Sequence, residues 1–422
     1  MNKRKLVQLF LLAGTAALLI AAYVVWSAVS SRAKSADETV LFQAEDIVWI
    51  QSSYAGEEQV FQKEQGVWVL AGDAAFPLNT AYIGDMEDAL SKLVATGNIE
   101  NGDLAEYGLA VPSFEISAKA ANGSEFTCAV GNENNTADIV YIRVGDSIYT
   151  VDIGFSKRFC HALLEMVSKQ PLLDLQPSEV TAISLKNSNG AWSLKRDPDA
   201  IPKGYSKLSW VRSDGAAAGS EHAKALIQTI AGMRAEQTVA YRPDAATLAQ
   251  YGFDHPAATI ELGYGETDWT AQIGNKAESG LYYVWLPGAE LLATFAAAVP
   301  EKILSLTPQD SRNYQVFPVE FEGLIYAEVT FDQTSKRVDF SQDGNAWDFY
   351  YMLSTMRAER IAESQPAGEA DVTIRVHTTD PNATYVLSFQ KYNEDYYSVS
   401  VLGTIQLVNK RDIEELLKIL EA

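Results

Sequence analysis

The chain has 422 residues, 47% of them hydrophobic and 21% charged, with a formal net charge of −22. That apolar share excludes a wholly disordered chain, and 27 Gly with 14 Pro exclude collagen-like and low-complexity classes. So acidic a chain repels phosphate backbones, which excludes nucleic acid as a partner.

In chain order, residues 1–5 form a basic end carrying Lys3, Arg4 and Lys5, and residues 6–29 carry no charge at all. As a helix this stretch is about 36 Å long, enough to cross a hydrocarbon layer of roughly 30 Å. A secretory signal has a shorter apolar region, about 7–15 residues, so the stretch reads as an uncleaved transmembrane helix. Tyr23 and Trp26 suit an aromatic interface belt, and the leading cations keep the N-terminus cytoplasmic. The expectation is a single-pass protein of the cell membrane, its bulk extracytoplasmic, with a stalk over residues 30–41.

Beyond the stalk the sequence repeats. Period-two runs at Val48–Gln51 and Gln59–Gln62 predict strands, and Trp68 closes the next short stretch. A helix follows with Ile83, Met86, Leu90, Leu93 and Val94 on one face. Then comes a turn element, Tyr107-Gly108-Leu109 with Pro112, a strand ending in Gly131-Asn132, and a strand containing Tyr141. The same order returns as Tyr251-Gly252-Phe253 with Pro256, then Gly274-Asn275, then Tyr283, and the glycines and prolines keep one common offset. In this second copy Ser220 is placed to cap a helix burying Leu226, Ile230 and Met233, and Asp197–Gly204 reads as a surface excursion.

A third, divergent copy repeats Met233-Arg-Ala-Glu236 as Met356-Arg-Ala-Glu359 but lacks the Tyr-Gly turn. Asn409 is placed to cap its last helix. Trp68, Trp210 and Trp347 are read as equivalents, and Arg234 and Arg357 as a repeated internal salt bridge or a reused interface. The units span 42–172, 178–306 and 313–422. The fold class expected is α+β: a transmembrane helix, then about three repeated units of antiparallel sheet with helices on one face.

This layout resembles the bacterial extracytoplasmic proteins grouped as domain of unknown function 4340. The resemblance rests on the basic-then-apolar start, on Tyr107-Gly108-Leu109…Pro112 with its copy Tyr251-Gly252-Phe253…Pro256, and on the Gly-Asn and Tyr strands at 131–141 and 274–283. It covers the chain closely to about residue 306 and loosely beyond. Phe253 replaces the usual Leu. The resemblance implies an accessory role on the outer side of an ABC-type exporter, with transporter subunits as partners, and it carries no catalytic residues.

The chemistry-bearing motifs are few. There is no H-E-x-x-H, G-x-S-x-G or phosphate-binding loop, and His161, His222, His255 and His377 lack ligand spacing. No catalytic residue, cofactor or metal is therefore expected. Cys128 and Cys160 read as small buried thiols or, outside the cell, as a disulfide. Two aromatic groups stand out: Tyr282, Tyr283 and Trp285, and Tyr392, Tyr396 and Tyr397. Neighbouring strand residues face opposite ways, so part of each group points away from the core. Such rings either stack on glycans or proteins or pack across strands. The expected function is a non-enzymatic, membrane-anchored binding or scaffold protein of an export or envelope complex. The alternative is a cell-envelope glycan or peptide binder using the aromatic strands.

Overall fold

The computed structural model describes residues 39–168, 176–265, 267–341, 344–380 and 383–421. Side-chain alternation decides the sheets. The strand Phe114–Ala120 buries Phe114, Ile116, Ala118 and Ala120 while Glu115 and Lys119 face solvent, the pattern of a sheet with one covered and one wet face.

The first repeat runs β1 (Thr39–Gln43), β2 (Ile47–Tyr54), β3 (Glu57–Glu64), β4 (Val67–Leu70), α1 (Thr80–Ser91), β5 (Lys92–Ala95), β6 (Gly97–Ile99), β7 (Phe114–Ala120), β8 (Glu125–Asn134), β9 (Ile139–Val144), β10 (Ser147–Asp152) and α2 (Ile153–Lys157). The second runs β11 (Val180–Asn187), β12 (Gly190–Arg196), β13 (Trp210–Arg212), α3 (Ser220–Ala231), β14 (Ala235–Tyr241), α4 (Ala245–Gln250), β15 (Ala258–Tyr264), β16 (Thr267–Lys276), β17 (Tyr282–Leu286), β18 (Leu291–Phe295) and α5 (Ala298–Ser305). The third runs β19 (Leu324–Phe331), β20 (Thr334–Asp339), α6 (Ala346–Thr355), β21 (Arg360–Ala362), β22 (Val372–Thr378), β23 (Tyr385–Lys391), β24 (Tyr396–Val401), β25 (Thr404–Asn409) and α7 (Lys410–Ile419).

Their sheets have strand orders β4-β3-β2-β7-β8-β9-β10-β6, β13-β12-β11-β15-β16-β17-β18-β14 and β20-β19-β22-β23-β24-β25-β21. The three orders superpose position by position, except that the third sheet has no counterpart of β4 and β13. A separate two-stranded sheet pairs β1 with β5.

The repeated Tyr-Gly and Gly-Asn elements form one clasp. Asn132 N donates to Tyr107 O at 2.8 Å, and Asn275 N to Tyr251 O at 2.9 Å. Gly108 and Gly252 adopt φ of +71° and +91°, a region open to glycine at little cost. The facing glycines allow the approach: a Cβ on Gly131 would stand 2.2 Å from Tyr107 O, and one on Gly274 2.4 Å from Tyr251 O. The Tyr107 ring then packs on Tyr141 at 4.7 Å, and Tyr251 on Tyr283 at 4.4 Å. The third repeat lacks the Tyr-Gly turn and carries no such clasp among its described residues.

Several expectations are corrected. Among the described residues the balance is mostly antiparallel sheet, 44% strand against 21% helix, which corrects the expected α+β class. Among the described residues no helix is long and apolar enough to cross a membrane, which conflicts with a single-pass membrane protein. The basic end 1–5, the span 6–29 and the stalk up to residue 38 lie outside the described residues, while Thr39–Leu41 belong to β1. The extracytoplasmic placement was argued from that span, which lies outside the described residues. Helix α1 buries Ile83, Met86 and Leu90 but stops at Ser91, because the next residues turn extended and pair as β5 with β1, taking Leu93 and Val94. Gly219 rather than Ser220 is the N-cap of α3, and Ser220 Oγ instead accepts from Ser209 N at 3.0 Å. Asn409 caps α7 as expected, accepting from Arg411 N at 2.9 Å.

The chain divides into two compact units after Ser168. The second holds repeats two and three, and the segment 197–208 shows why they stay together. Its first part, Asp197–Gly204, expected as a surface excursion, buries Ile201, and Leu208 beyond it is buried as well. Its Tyr205 ring packs on Tyr385 of the third repeat at 5.1 Å, and Lys207 N donates to Pro318 O at 3.2 Å.

Candidate functional site

The described aromatic strands offer less free surface than their sequence suggests. Tyr283 is held in its clasp, and Tyr282 and Trp285 are half-buried, with the Lys276 ammonium 5.2 Å from the Tyr282 ring centre. Tyr396 OH donates to Glu359 Oε2 at 2.6 Å, which pushes the phenol above its ordinary range, and Tyr397 is half-buried. Of the six, Tyr392 alone is exposed. In the Met-Arg-Ala-Glu pair the Met and Ala are buried and the arginines exposed. Neither Arg234 nor Arg357 makes an ion pair among the described residues; Arg357 Nη2 lies 3.5 Å from His222 Nε2.

The cysteines are both free thiols, Cys128 buried and Cys160 half-buried, and burial pushes both above the ordinary thiol range. Among the described residues no group of three or more His, Cys, Asp or Glu side chains is placed to hold a metal ion.

The strongest contrast lies at the outer strand of each sheet. In repeat one, Trp68 on β4 pairs with Lys63 on β3, whose ammonium sits 5.1 Å from the ring centre, and Trp68 Nε1 donates to Glu87 Oε2 of α1 at 3.0 Å. In repeat two, Trp210 on β13 pairs with Arg196 on β12, its guanidinium 5.2 Å from the ring centre. Both tryptophans are buried. Counted from its hairpin, repeat three has Phe340 where those two have a cation. Among the described residues the chain then enters α6 without laying down another strand. Trp347 is therefore no equivalent of Trp68 and Trp210: it lies in the first turn of α6 and is 55% exposed.

The outer edge of β20 carries no further strand among the described residues. Phe321 packs against Phe340 at 5.8 Å and Trp347 at 5.2 Å, and Tyr351, one turn beyond Trp347, is 59% exposed. A recess of about 270 Å³ adjoins the strand, walled by Lys336, Val338, Phe349, Ile419 and Leu420. Charges on an edge strand usually guard it against pairing. Here they are engaged within the chain: Lys336 Nζ donates to Leu420 O at 2.7 Å, and the Arg337 guanidinium lies 3.6 Å from the Tyr326 ring centre. Sequence reading missed this edge because Trp347 was aligned with its sister tryptophans. The signal was available in the short spacing between the β20 pattern and the helix that follows.

The family model described as Domain of unknown function (DUF4340) matches residues 68–209 and again residues 210–373. The matches begin at Trp68 and Trp210, so the matched unit is the structural repeat in a shifted frame. It opens on the outer strand of one sheet and takes in the first hairpin of the next. No curated protein and no solved structure matches the chain. The two matches together span more than half of the chain, and the chain belongs to this family.

Proposed function

We propose that this member of the DUF4340 family is a non-catalytic binding or scaffold protein whose third repeat takes up an extended segment of a partner protein along the edge of β20. The observation carrying the reading is the comparison among sister repeats: two sheets complete this edge with a short strand bearing a large aromatic residue, and the third does not. Strand addition satisfies the open backbone groups of an edge through main-chain hydrogen bonds, while side-chain pockets supply specificity. Phe340 in place of a cation favours an apolar residue opposite it, and exposed Trp347 and Tyr351 offer the aromatic anchors common at interface hot spots. The family resemblance makes a component of an export complex the first partner to look for.

The test places a photo-crosslinking residue at Ser335 on β20, at Trp347, and at Val67 on the already completed edge of repeat one. The expected result in cells is one defined protein product from Ser335 and Trp347 and none from Val67. Trp347→Ala combined with Tyr351→Ala is expected to reduce the Ser335 product. Equal products from Ser335 and Val67, or none from Ser335, would overturn the reading.

A further inference from the structure

The solvent faces of the three sheets differ at one matching row of residues. Residues paired across neighbouring strands share a face and lie against one another. In repeat one the row reads Gln62, Trp49, Lys119 and Glu125, across β3, β2, β7 and β8. The Lys119 ammonium lies 5.4 Å from the Trp49 ring centre and 2.9 Å from Glu125 Oε1. In repeat three Tyr326 on β19 takes the place of Trp49, just past the same bulge near the strand start. His377 pairs with it from β22 and stacks on its ring at 4.3 Å, and the Arg337 guanidinium lies 3.6 Å from the ring centre. Both faces thus carry an aromatic ring against a cation.

In repeat two the row reads Lys195, Ala182, Gly263 and Asp268, across β12, β11, β15 and β16. Ala182 stands in place of the ring, Gly263 in place of the cation, and Asp268 in place of Glu125. The space so left is a groove of about 520 Å³, lined by all four residues of the row together with Glu261. Small-ligand pockets usually measure about 300–1,000 Å³.

The charges at this groove are unequally satisfied. Its two cations are engaged: Lys195 Nζ lies 3.6 Å from Asp197 Oδ2, and the Arg212 guanidinium holds Asp214 and Pro308 O. Glu261 and Asp268 are exposed, and neither makes an ion pair among the described residues. Lys195 stands three strands from Asp268, roughly 14 Å at the usual strand spacing, too far to neutralise it. The net charge of −22 adds a long-range attraction for cations.

We infer that this groove binds a small molecule in which a planar aromatic ring carries an amine on a short chain. The ring lies over Ala182 and Gly263, and the ammonium meets Asp268 and Glu261. The ligand thereby supplies the ring and cation that the other two repeats build from their own side chains.

Equilibrium dialysis of the full chain at low salt tests this with three probes. Tryptamine has the ring and the amine, 3-ethylindole has the ring alone, and indole-3-propionate has a carboxylate in place of the amine. Tryptamine should bind saturably at one site per chain, and 3-ethylindole about fivefold more weakly, as for one exposed ion pair. Indole-3-propionate should bind more weakly still. Asp268→Asn combined with Glu261→Gln is expected to erase the advantage of tryptamine over 3-ethylindole. Ala182→Trp, which restores the ring that repeat one carries, is expected to abolish binding of both. The inference fails if tryptamine does not bind saturably, or if either control binds as tightly. It fails equally if the double variant keeps the full advantage, or if Ala182→Trp, melting like wild type, still binds. Should Ala182→Trp not fold, the double variant, which alters only exposed side chains, decides together with the probe comparison.

Discussion

At the residue scale the clasp turns on glycine geometry. Gly252 combines a φ of +91° with a close neighbour, since a Cβ there would stand 2.5 Å from Asn275 Oδ1. Gly280 has a φ of +87° but nothing within 4 Å. Gly280→Ala should therefore cost only the left-handed strain, about 1–2 kcal/mol. Gly252→Ala should cost that plus an overpacking penalty of about 1–3 kcal/mol. Chemical denaturation of both variants checks the difference, and equal losses would show that Asn275 simply swings away. A second residue-scale expectation concerns His222. Burial, and then the nearby Arg357 guanidinium, hold its imidazole below the usual value of 6.5, against the smaller opposing pull of Asp310 and Glu221. The unfolded chain thus takes up this proton before the folded chain does. Stability from this group is complete above pH 6.5 and is lost as pH falls through the folded value. The His222 ring signals should titrate below 6.5, and His222→Gln should flatten the acid side of the stability profile. A titration midpoint at or above 6.5 would refute this.

At the element scale each repeat ties its first hairpin to the chain that follows its last strand by a side chain donating to a carbonyl. The residue type differs each time. Gln59 Nε2 donates to His161 O at 2.9 Å in repeat one. Asn187 Nδ2 donates to Ile303 O at 3.0 Å and Leu306 O at 2.9 Å in repeat two, and Lys336 Nζ donates to Leu420 O in repeat three. Leu306 and Leu420 are the C-caps of α5 and α7, where carbonyls lack partners within the helix, so in repeats two and three the tether satisfies them. Asn187→Ala should cost roughly 1–2 kcal/mol through two lost hydrogen bonds, read as a lower melting midpoint of the full chain; an unchanged midpoint would show that water replaces the amide. These tethers also mark what the sequence could reveal. The clasp was legible because close backbone approach admits only glycine and a fixed turn, so Gly108, Gly131, Gly252 and Gly274 stand in register. The tether was not legible, since Gln, Asn and Lys can each deliver one donor to a carbonyl. The open edge of β20 was hidden for a related reason: a missing strand leaves no residues to read, and Trp347 imitated the marker of its presence.

At the scale of the whole molecule, three similar repeats do not make three independent folding units. Repeat one completes its sheet and its own core around Phe61, Ile116, Met86 and Phe159 within the first compact unit. Repeats two and three share a unit through parts that neither could hide alone. Segment 197–208 lays Tyr205 on Tyr385, and Lys207 Nζ donates to Tyr350 OH at 3.1 Å. Arg212 Nη1 donates to Pro308 O at 2.9 Å and also to Ser311 Oγ, in the turn leading into repeat three. A fragment of residues 39–168 should therefore melt cooperatively by itself, and so should residues 176–421. A fragment of residues 176–306 should not: it leaves the Tyr205 face uncovered and removes both acceptors of Arg212 Nη1, whose side chain is 9% exposed in the intact unit and keeps Asp214 as its partner. A buried guanidinium that loses two of its hydrogen-bond acceptors is destabilised, and newly exposed apolar surface promotes association. The expected reading is a lower melting midpoint than that of 176–421, with binding of a hydrophobic dye. A 176–306 fragment that melts as high as 176–421 without binding dye would show that segment 197–208 is an ornament of the second repeat rather than the joint between the last two.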